Sequence, residues 1–157
     1  MPEGVARGKS LSLKARALRY LSLRDHSRSE LERKLSAYAT PEDDLPKLLD
    51  SLAQEGWQSE ARFAASLVHR RAARYGVRRI TAELDRHGVS ESDRLEALSE
   101  LGRSEADRAW QAWSRRFEGP ASTPQELARQ QRFLLQRGFG ADTIRGVLRR
   151  ARRSEQR

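Results

Sequence analysis

Apolar residues along this chain recur at the three-and-four spacing of amphipathic helices, not at the alternation of half-buried strands. Leu45, Leu48, Leu49 and Leu52 fall on one helical face, as do Val77, Ile80 and Leu84, and again Ile144, Val147, Leu148 and Ala151. Polar punctuation agrees. Ser27 with Glu30, Thr40 with Asp43, Ser90 with Asp93, Ser104 with Asp107 and Thr123 with Glu126 each set a hydroxyl three residues before an acid, the spacing that satisfies orphan amides at a helix start. Pro41 and Pro124 stand where a first helical residue needs no N–H, and Gly56, Gly76, Gly88, Gly102, Gly119-Pro120 and Gly138 stand where helices stop or turn. The pattern predicts helices near 11–24, 27–39, 41–54, 59–74, 77–87, 91–100, 104–118, 124–137 and 141–151, with no strand.

The pattern also repeats. Arg19-Tyr20-Leu21, Arg24, Ser27, Leu31 and Leu35 return at unchanged spacing as Arg132-Phe133-Leu134, Arg137, Gly140, Ile144 and Leu148. A weaker copy lies between them, with Gly76, Ile80 and Leu84 in the places of Ser27, Leu31 and Leu35, and Leu98 and Leu101 answering Leu49 and Leu52. Self-similarity of this kind marks small helical units that complete their cores by stacking. The expected fold is all-α, with three tandem three-helix repeats at 11–57, 58–102 and 103–151 forming an elongated, curved array, a flexible N-terminus at 1–10 and a flexible basic C-terminus at 152–157.

Composition narrows what such an array can do. Only 37% of the 157 residues are hydrophobic and 34% are charged, so each core is small. Cysteine is absent, which removes disulfides, thiolate metal sites and thiol nucleophiles and fits a reducing compartment, so the cytoplasm is expected. No apolar run nears the roughly 20 residues that span a bilayer, and Met1-Pro2-Glu3-Gly4 lacks the apolar core of a signal peptide. The net charge of +9 is uneven, with +1 over residues 1–58, +2 over 59–103 and +6 over 104–157. A polyanionic partner is favoured, either nucleic acid or an acidic protein surface.

Catalysis has no visible seat. His26 lies in the first repeat and His69 and His87 in the second, on separate predicted helices, which reads against a helical metal site, and Glu42-Asp43-Asp44 opens a predicted helix, where the dipole alone explains the acids. Gly138-Phe139-Gly140 neither follows a strand nor precedes a Lys-Ser/Thr pair, so it is no phosphate loop. Trp57, Trp110 and Trp113 at helical spacing are expected to pack, not to stack bases. No enzyme activity, cofactor or metal is expected.

Arginine remains. Between Glu60 and Glu83 lie Arg62, Arg70, Arg71, Arg74, Arg78 and Arg79 with no acid, and between Asp142 and Glu155 lie Arg145, Arg149, Arg150, Arg152 and Arg153. Arg145, Arg149 and Arg152 share a helical face opposite the Ile144/Val147/Leu148 stripe, and like charges at i,i+4 cost helix stability, which points to an anion-binding purpose. Arginine suits bidentate pairing with phosphate or carboxylate. From Pro41 to Glu60, by contrast, six acids face Lys47 alone, so a partner of mixed charge is expected, such as a protein already on nucleic acid.

These residues resemble one family, the RecX regulatory proteins. Arg24-Asp25-His26-Ser27-Arg28-Ser29-Glu30-Leu31-Glu32-Arg33-Lys34-Leu35 is similar to its first-module motif. Glu60-Ala61-Arg62-Phe63-Ala64, Arg70-Arg71 and Tyr75-Gly76-Val77-Arg78-Arg79-Ile80-Thr81-Ala82-Glu83-Leu84 resemble its central signature, and Arg132-Phe133-Leu134-Leu135-Gln136-Arg137-Gly138-Phe139 with Ile144 resembles its third-module ending. The likeness spans roughly residues 14–150. Two departures stand out: Ser36-Ala37-Tyr38-Ala39 where the family commonly has Lys-Gly, and Gln58-Ser59-Glu60 in place of an acidic turn. The resemblance implies a bacterial, cytoplasmic, non-enzymatic negative regulator of the RecA recombinase. Such a protein lodges in the groove of the RecA–single-stranded DNA filament and inhibits its ATPase, coprotease and strand-exchange activities, so modulating DNA repair and the SOS response. Direct contact with single- and double-stranded DNA is also implied, and a monomer is expected. The alternative is a helical-repeat protein that binds nucleic acid without RecA. On either reading the eleven arginines of the two clusters are the candidate contacts.

Overall fold

The computed structural model describes residues 11–157, so the expectation for residues 1–10 lies outside the described part. Among the described residues there are nine α-helices and no strand. They are α1 (Leu13–Leu23), α2 (Arg28–Ser36), α3 (Leu45–Gln54), α4 (Glu60–Arg71), α5 (Val77–Arg86), α6 (Glu91–Leu98), α7 (Leu101–Arg116), α8 (Pro124–Gln136) and α9 (Ala141–Glu155). Contacts divide the chain into two compact units, Met1–Glu60 and Ala61–Arg157.

Each three-helix module has its own apolar centre. In the first, Ala17, Leu31, Leu35, Leu49 and Leu52 are buried. The second buries Phe63, Ala64, Leu67, Ile80, Leu84, Val89 and Leu101, and the third Trp113, Leu134, Phe139, Ile144, Val147, Leu148 and Ala151 with Ala109 and Ala112. The helical stripes read from the sequence supply Leu49, Leu52, Ile80, Leu84, Ile144, Val147, Leu148 and Ala151, and the repeat positions add Leu31, Leu35, Leu101 and Leu134.

Helix starts follow the capping logic at Ser12, Ser27, Ser90 and Thr123, whose hydroxyls accept the amides of Ala15, Glu30, Asp93 and Glu126. Two expected starts are displaced. Thr40 does bind Asp43, its amide donating to Oδ2 at 2.8 Å, but the bond closes a turn and Pro41 opens no helix. Pro46 explains this: inside a helix begun at residue 41 it would lack a donor and press on the preceding turn. The helix therefore starts at Leu45, with Pro46 in its first turn and Asp44 as the cap accepting the Lys47 amide.

The second displacement is larger. Ser104 is not a cap and Gly102 not a stop, because α7 already begins at Leu101. Leu101 is buried in the second core, while Trp113 on the same helix is buried in the third. Arg108 secures the helix start by donating to the carbonyls of Ala72 (3.0 Å), Tyr75 (2.7 Å) and Leu101 (2.9 Å), closing the C-terminal end of α4. At the other end of the chain, α9 runs four residues past the expected 151.

A second joint ties the second and third modules. The Gly76 amide donates to the Arg137 carbonyl at 2.8 Å and the Arg78 amide to the Gly138 carbonyl at 3.2 Å. Gly76 and Gly138 allow the approach: a Cβ on Gly76 would overlap the Gly138 carbonyl, and Gly138 has φ +88° with no room for a side chain beside Arg79.

Candidate anion-binding surface

The central arginines lie on α4, on the turn after it and on the first turn of α5. Arg62 and Arg70 are exposed on α4. Arg71 is held by Glu83, its Nε and Nη2 donating to the two carboxylate oxygens at 3.0 and 2.9 Å, and this pairing raises the pKa of its guanidinium. The absence of acid between residues 61 and 82 thus hid a partner that folding supplies from α5. Arg79 stacks over Tyr75 at 4.0 Å and donates to the Gln136 carbonyl at 3.1 Å. Arg74 and Arg78 are exposed, and neither has an ion pair among the described residues.

Arg137 belongs with this group, though it was not among the candidates. Its Nη1 donates to the Arg74 carbonyl at 3.2 Å, which sets four guanidinium-bearing residues around the Gly76–Gly138 joint. Its equivalence to Arg24 in the repeat was the available signal, but only the joint brings it beside the others. Arg78 and Arg79 occupy the first turn of α5, which contains no acid, so the positive end of the helix dipole opposes them.

On α9 the apolar side is filled by Ile144, Val147, Leu148 and Ala151, and the arginines face outward. Arg145 pairs with Asp142 one turn back, and Arg150 lies over the Trp110 ring at 4.1 Å from its centroid. Arg149, Arg152 and Arg153 are exposed without an ion pair among the described residues. Arg149, Arg152 and Arg145 line a shallow groove against Leu127 and Gln131 of α8. Glu105 of α7 links the two arginine-bearing helices, accepting the Val77 amide at 3.0 Å and the Thr143 hydroxyl at 2.9 Å.

The acids of the first module, Glu42, Asp43, Asp44, Asp50 and Glu55, are all exposed, and each is engaged locally. Asp44 caps α3, Asp50 pairs with Arg28 at 2.6 Å, and Thr40 binds both Glu42 and Asp43. Glu55 takes Lys14 and Ser51, which lower its pKa, the serine hydrogen bond most. The tryptophans divide: Trp113 is buried and donates to Gln130 at 3.0 Å, Trp110 is half-buried, and Trp57, expected to pack, is exposed.

His26 is the buried polar centre of the first module, and its i,i+4 partner Glu30 escaped the sequence reading. The Lys34 ammonium approaches Nε2 at 2.9 Å and can only donate, so Nε2 accepts and Nδ1 carries the proton it gives to the Arg24 carbonyl at 3.0 Å. Burial lowers its pKa; the hydrogen bond to the Arg24 carbonyl and the Glu30 carboxylate oppose this, while the charges of Arg24 and Lys34 act with burial. Glu30 accepts from Arg24 at 2.7 Å. Gln58, one of the departures noted above, is also buried here and donates to the His26 carbonyl and to Glu60. No group of three or more acid or histidine side chains able to hold a metal ion occurs among the described residues, and none of their helices is long and apolar enough to cross a membrane.

Three family models match in order: "RecX, first three-helix domain" over residues 14–52, the second domain over 59–98 and the third over 104–148. A regulatory protein RecX of Leptothrix cholodnii is 49% identical over 141 residues, 90% of each chain. Another, of Herminiimonas arsenicoxydans, is 48% identical over 145 residues, 92% of this chain and 96% of that one. Among solved structures, a crystal structure of regulatory protein RecX superposes with a TM-score of 0.72 at 25% identity, covering 86% of this chain and 70% of that one.

Proposed function

Because the chain belongs to the RecX family of regulatory proteins, we propose that it is a non-enzymatic negative regulator of RecA, acting on the RecA–single-stranded DNA filament in the bacterial cytoplasm. It enters the filament groove and restrains the ATPase, coprotease and strand-exchange activities that serve DNA repair and the SOS response. The observation that carries the reading is the set of exposed arginines on α4–α5 and α9, of which Arg74, Arg78, Arg149, Arg152 and Arg153 have no ion pair among the described residues. Arg78 sits against its own helix dipole, a cost of tenths of a kcal/mol that an external anion would reverse. Phosphates and the carboxylates of a protein partner both answer such groups, and contacts spread over successive RecA protomers would resist the rearrangements that accompany ATP turnover.

The test is the DNA-dependent ATPase rate of RecA against increasing amounts of this protein, beside a titration of the bare strand. Suppression well below the amounts that coat the strand supports action on the filament. Suppression only at saturation of the bare strand would favour the second reading, a nucleic-acid binder independent of RecA. That reading draws support from the same arginines and predicts a log-affinity loss of roughly 0.7 per phosphate contact per log unit of salt.

A further inference from the structure

Between α7 and α9 the third module carries a mostly apolar cleft of about 370 Å³, lined by Ala106, Trp110, Gly146 and Val147, with Asp107, Asp142 and Thr143 at one end and Arg150 at the other. Val147 belongs to the module's core and Trp110 packs against it, yet the space between the two helices stays open. Gly146 is the informative residue. It stands in the middle of α9, where glycine costs a helix about 1 kcal/mol against alanine. Unlike Gly76 and Gly138, it makes no close approach that would require it, for a Cβ there would meet nothing within 4 Å. The missing side chain leaves open the floor of the cleft.

The walls have the chemistry of a base. Trp110 stacks on Trp113 at 5.1 Å with an interplanar angle of 20°, and the Arg150 guanidinium lies 4.1 Å from its ring centroid. A planar cation over an indole occupies the kind of position that a nucleobase takes on an aromatic platform. Arg153 continues the positive charge one turn along the same helix, while Arg149 and Arg152 line the neighbouring groove against α8. Asp142 is neutralised by Arg145, while Asp107 and Thr143 offer hydrogen-bond partners to an edge of a base. An apolar peptide side chain would fill the cleft but would leave Arg150, the cation at its edge, without an anionic partner.

We infer that this cleft receives one unstacked base of single-stranded nucleic acid, which stacks against Trp110 while Arg150 turns to the adjoining phosphate. The inference rests on the direct DNA contact in the function proposed above. It adds a base-specific anchor to a surface otherwise suited to phosphate.

Gly146→Leu tests it in the full chain, because leucine enters open space, fills the cleft and improves helix propensity, so the melting temperature is expected at or above that of the parent. The probe is a labelled oligothymidylate, with inorganic polyphosphate as a charge control lacking bases. The parent is expected to bind the oligomer with quenching of tryptophan emission. Gly146→Leu should bind it about tenfold more weakly without quenching, and polyphosphate should bind both proteins alike. Trp110→Leu, which keeps an apolar wall but no large ring, should repeat the result. Parental affinity and quenching in both variants would overturn the base site while leaving the arginine surface and RecA regulation standing. Loss of binding to RecA-coated DNA alone, with the bare oligomer unaffected, would assign the cleft to a protein side chain and equally overturn it. Failure of the parent to bind the oligomer would overturn it too, and suppression of the RecA ATPase would then separately decide the regulatory reading.

Discussion

The helix pairs α1–α2 and α8–α9 share a repeat displaced by 113 positions, yet solve the same packing problem differently. His26, Glu30 and Lys34 of the first pair stand where the third module has Phe139, Thr143 and Val147. Phe139 is 1% exposed and simply fills space; His26 is 2% exposed and must satisfy both ring nitrogens, which draws in Lys34 and the Arg24 carbonyl. The equivalent arginines diverge accordingly, Arg24 pairing with Glu30 while Arg137 stacks on Phe133 at 4.7 Å and reaches the Arg74 carbonyl. Even the helix closing each core differs in order, α3 following its pair and α7 preceding its own. A repeat therefore preserves the positions of side chains more strictly than their chemistry. The apolar version leaves its arginine without a carboxylate, bonded to the neighbouring module's Arg74 carbonyl, and the polar version pairs its arginine with Glu30.

Breaking the apolar version should cost most. Phe139→Ala is expected to lower stability by about 3–5 kcal/mol, read from the urea midpoint of the full chain, and a loss under about 1 kcal/mol would mean that the site collapses around the gap. Next comes the link between modules. Glu105→Ala leaves the Val77 amide and Thr143 hydroxyl without their acceptor and should cost about 2 kcal/mol, whereas Glu105→Gln, which keeps an acceptor oxygen, should cost less.

His26→Phe converts the first module to the chemistry of the third, and its effect depends on pH. Burial holds the folded-state pKa of His26 below its ordinary value of 6.5, so the unfolded chain binds more protons in acid. The neutral ring's contribution is present above about pH 6.5 and is lost as pH falls toward the lowered folded value. The slope that His26 adds over that window is at most one proton's worth, about 1.4 kcal/mol per pH unit, and His26→Phe should remove it. Urea midpoints from pH 8 to pH 5 check this, and equal slopes in the two proteins would show that the histidine titrates as if exposed. Smallest is the cap. Ser27 bonds the Glu30 amide at 3.1 Å while Gly140 offers no side chain, so Gly140→Ser should stabilise α9 by a few tenths of a kcal/mol in thermal melts.

The amino-acid sequence alone determined the helices, their order and most core residues, because periodicity and capping act over three or four residues and leave a local trace. Ser27, Ser90 and Thr123 cap helices as their spacing requires, and Ile144, Val147, Leu148 and Ala151 are buried together as their stripe requires. The arginine clusters were equally legible as runs without acid. Their pairing was not, since an ion pair depends on distance in space: Glu83 reaches Arg71 from another helix, and the Gly76–Gly138 joint draws Arg137 toward Arg74 across 63 positions. The start of α7 was hidden for the same reason. Leu101, at the start of α7, belongs to one core and Trp113 to the next, and Arg108 holds that helix by carbonyls 33 and 36 positions away. Local spacing decides what forms a helix; only tertiary packing decides which charges and faces remain for a partner, because burial and pairing are properties of neighbours that the chain order does not record.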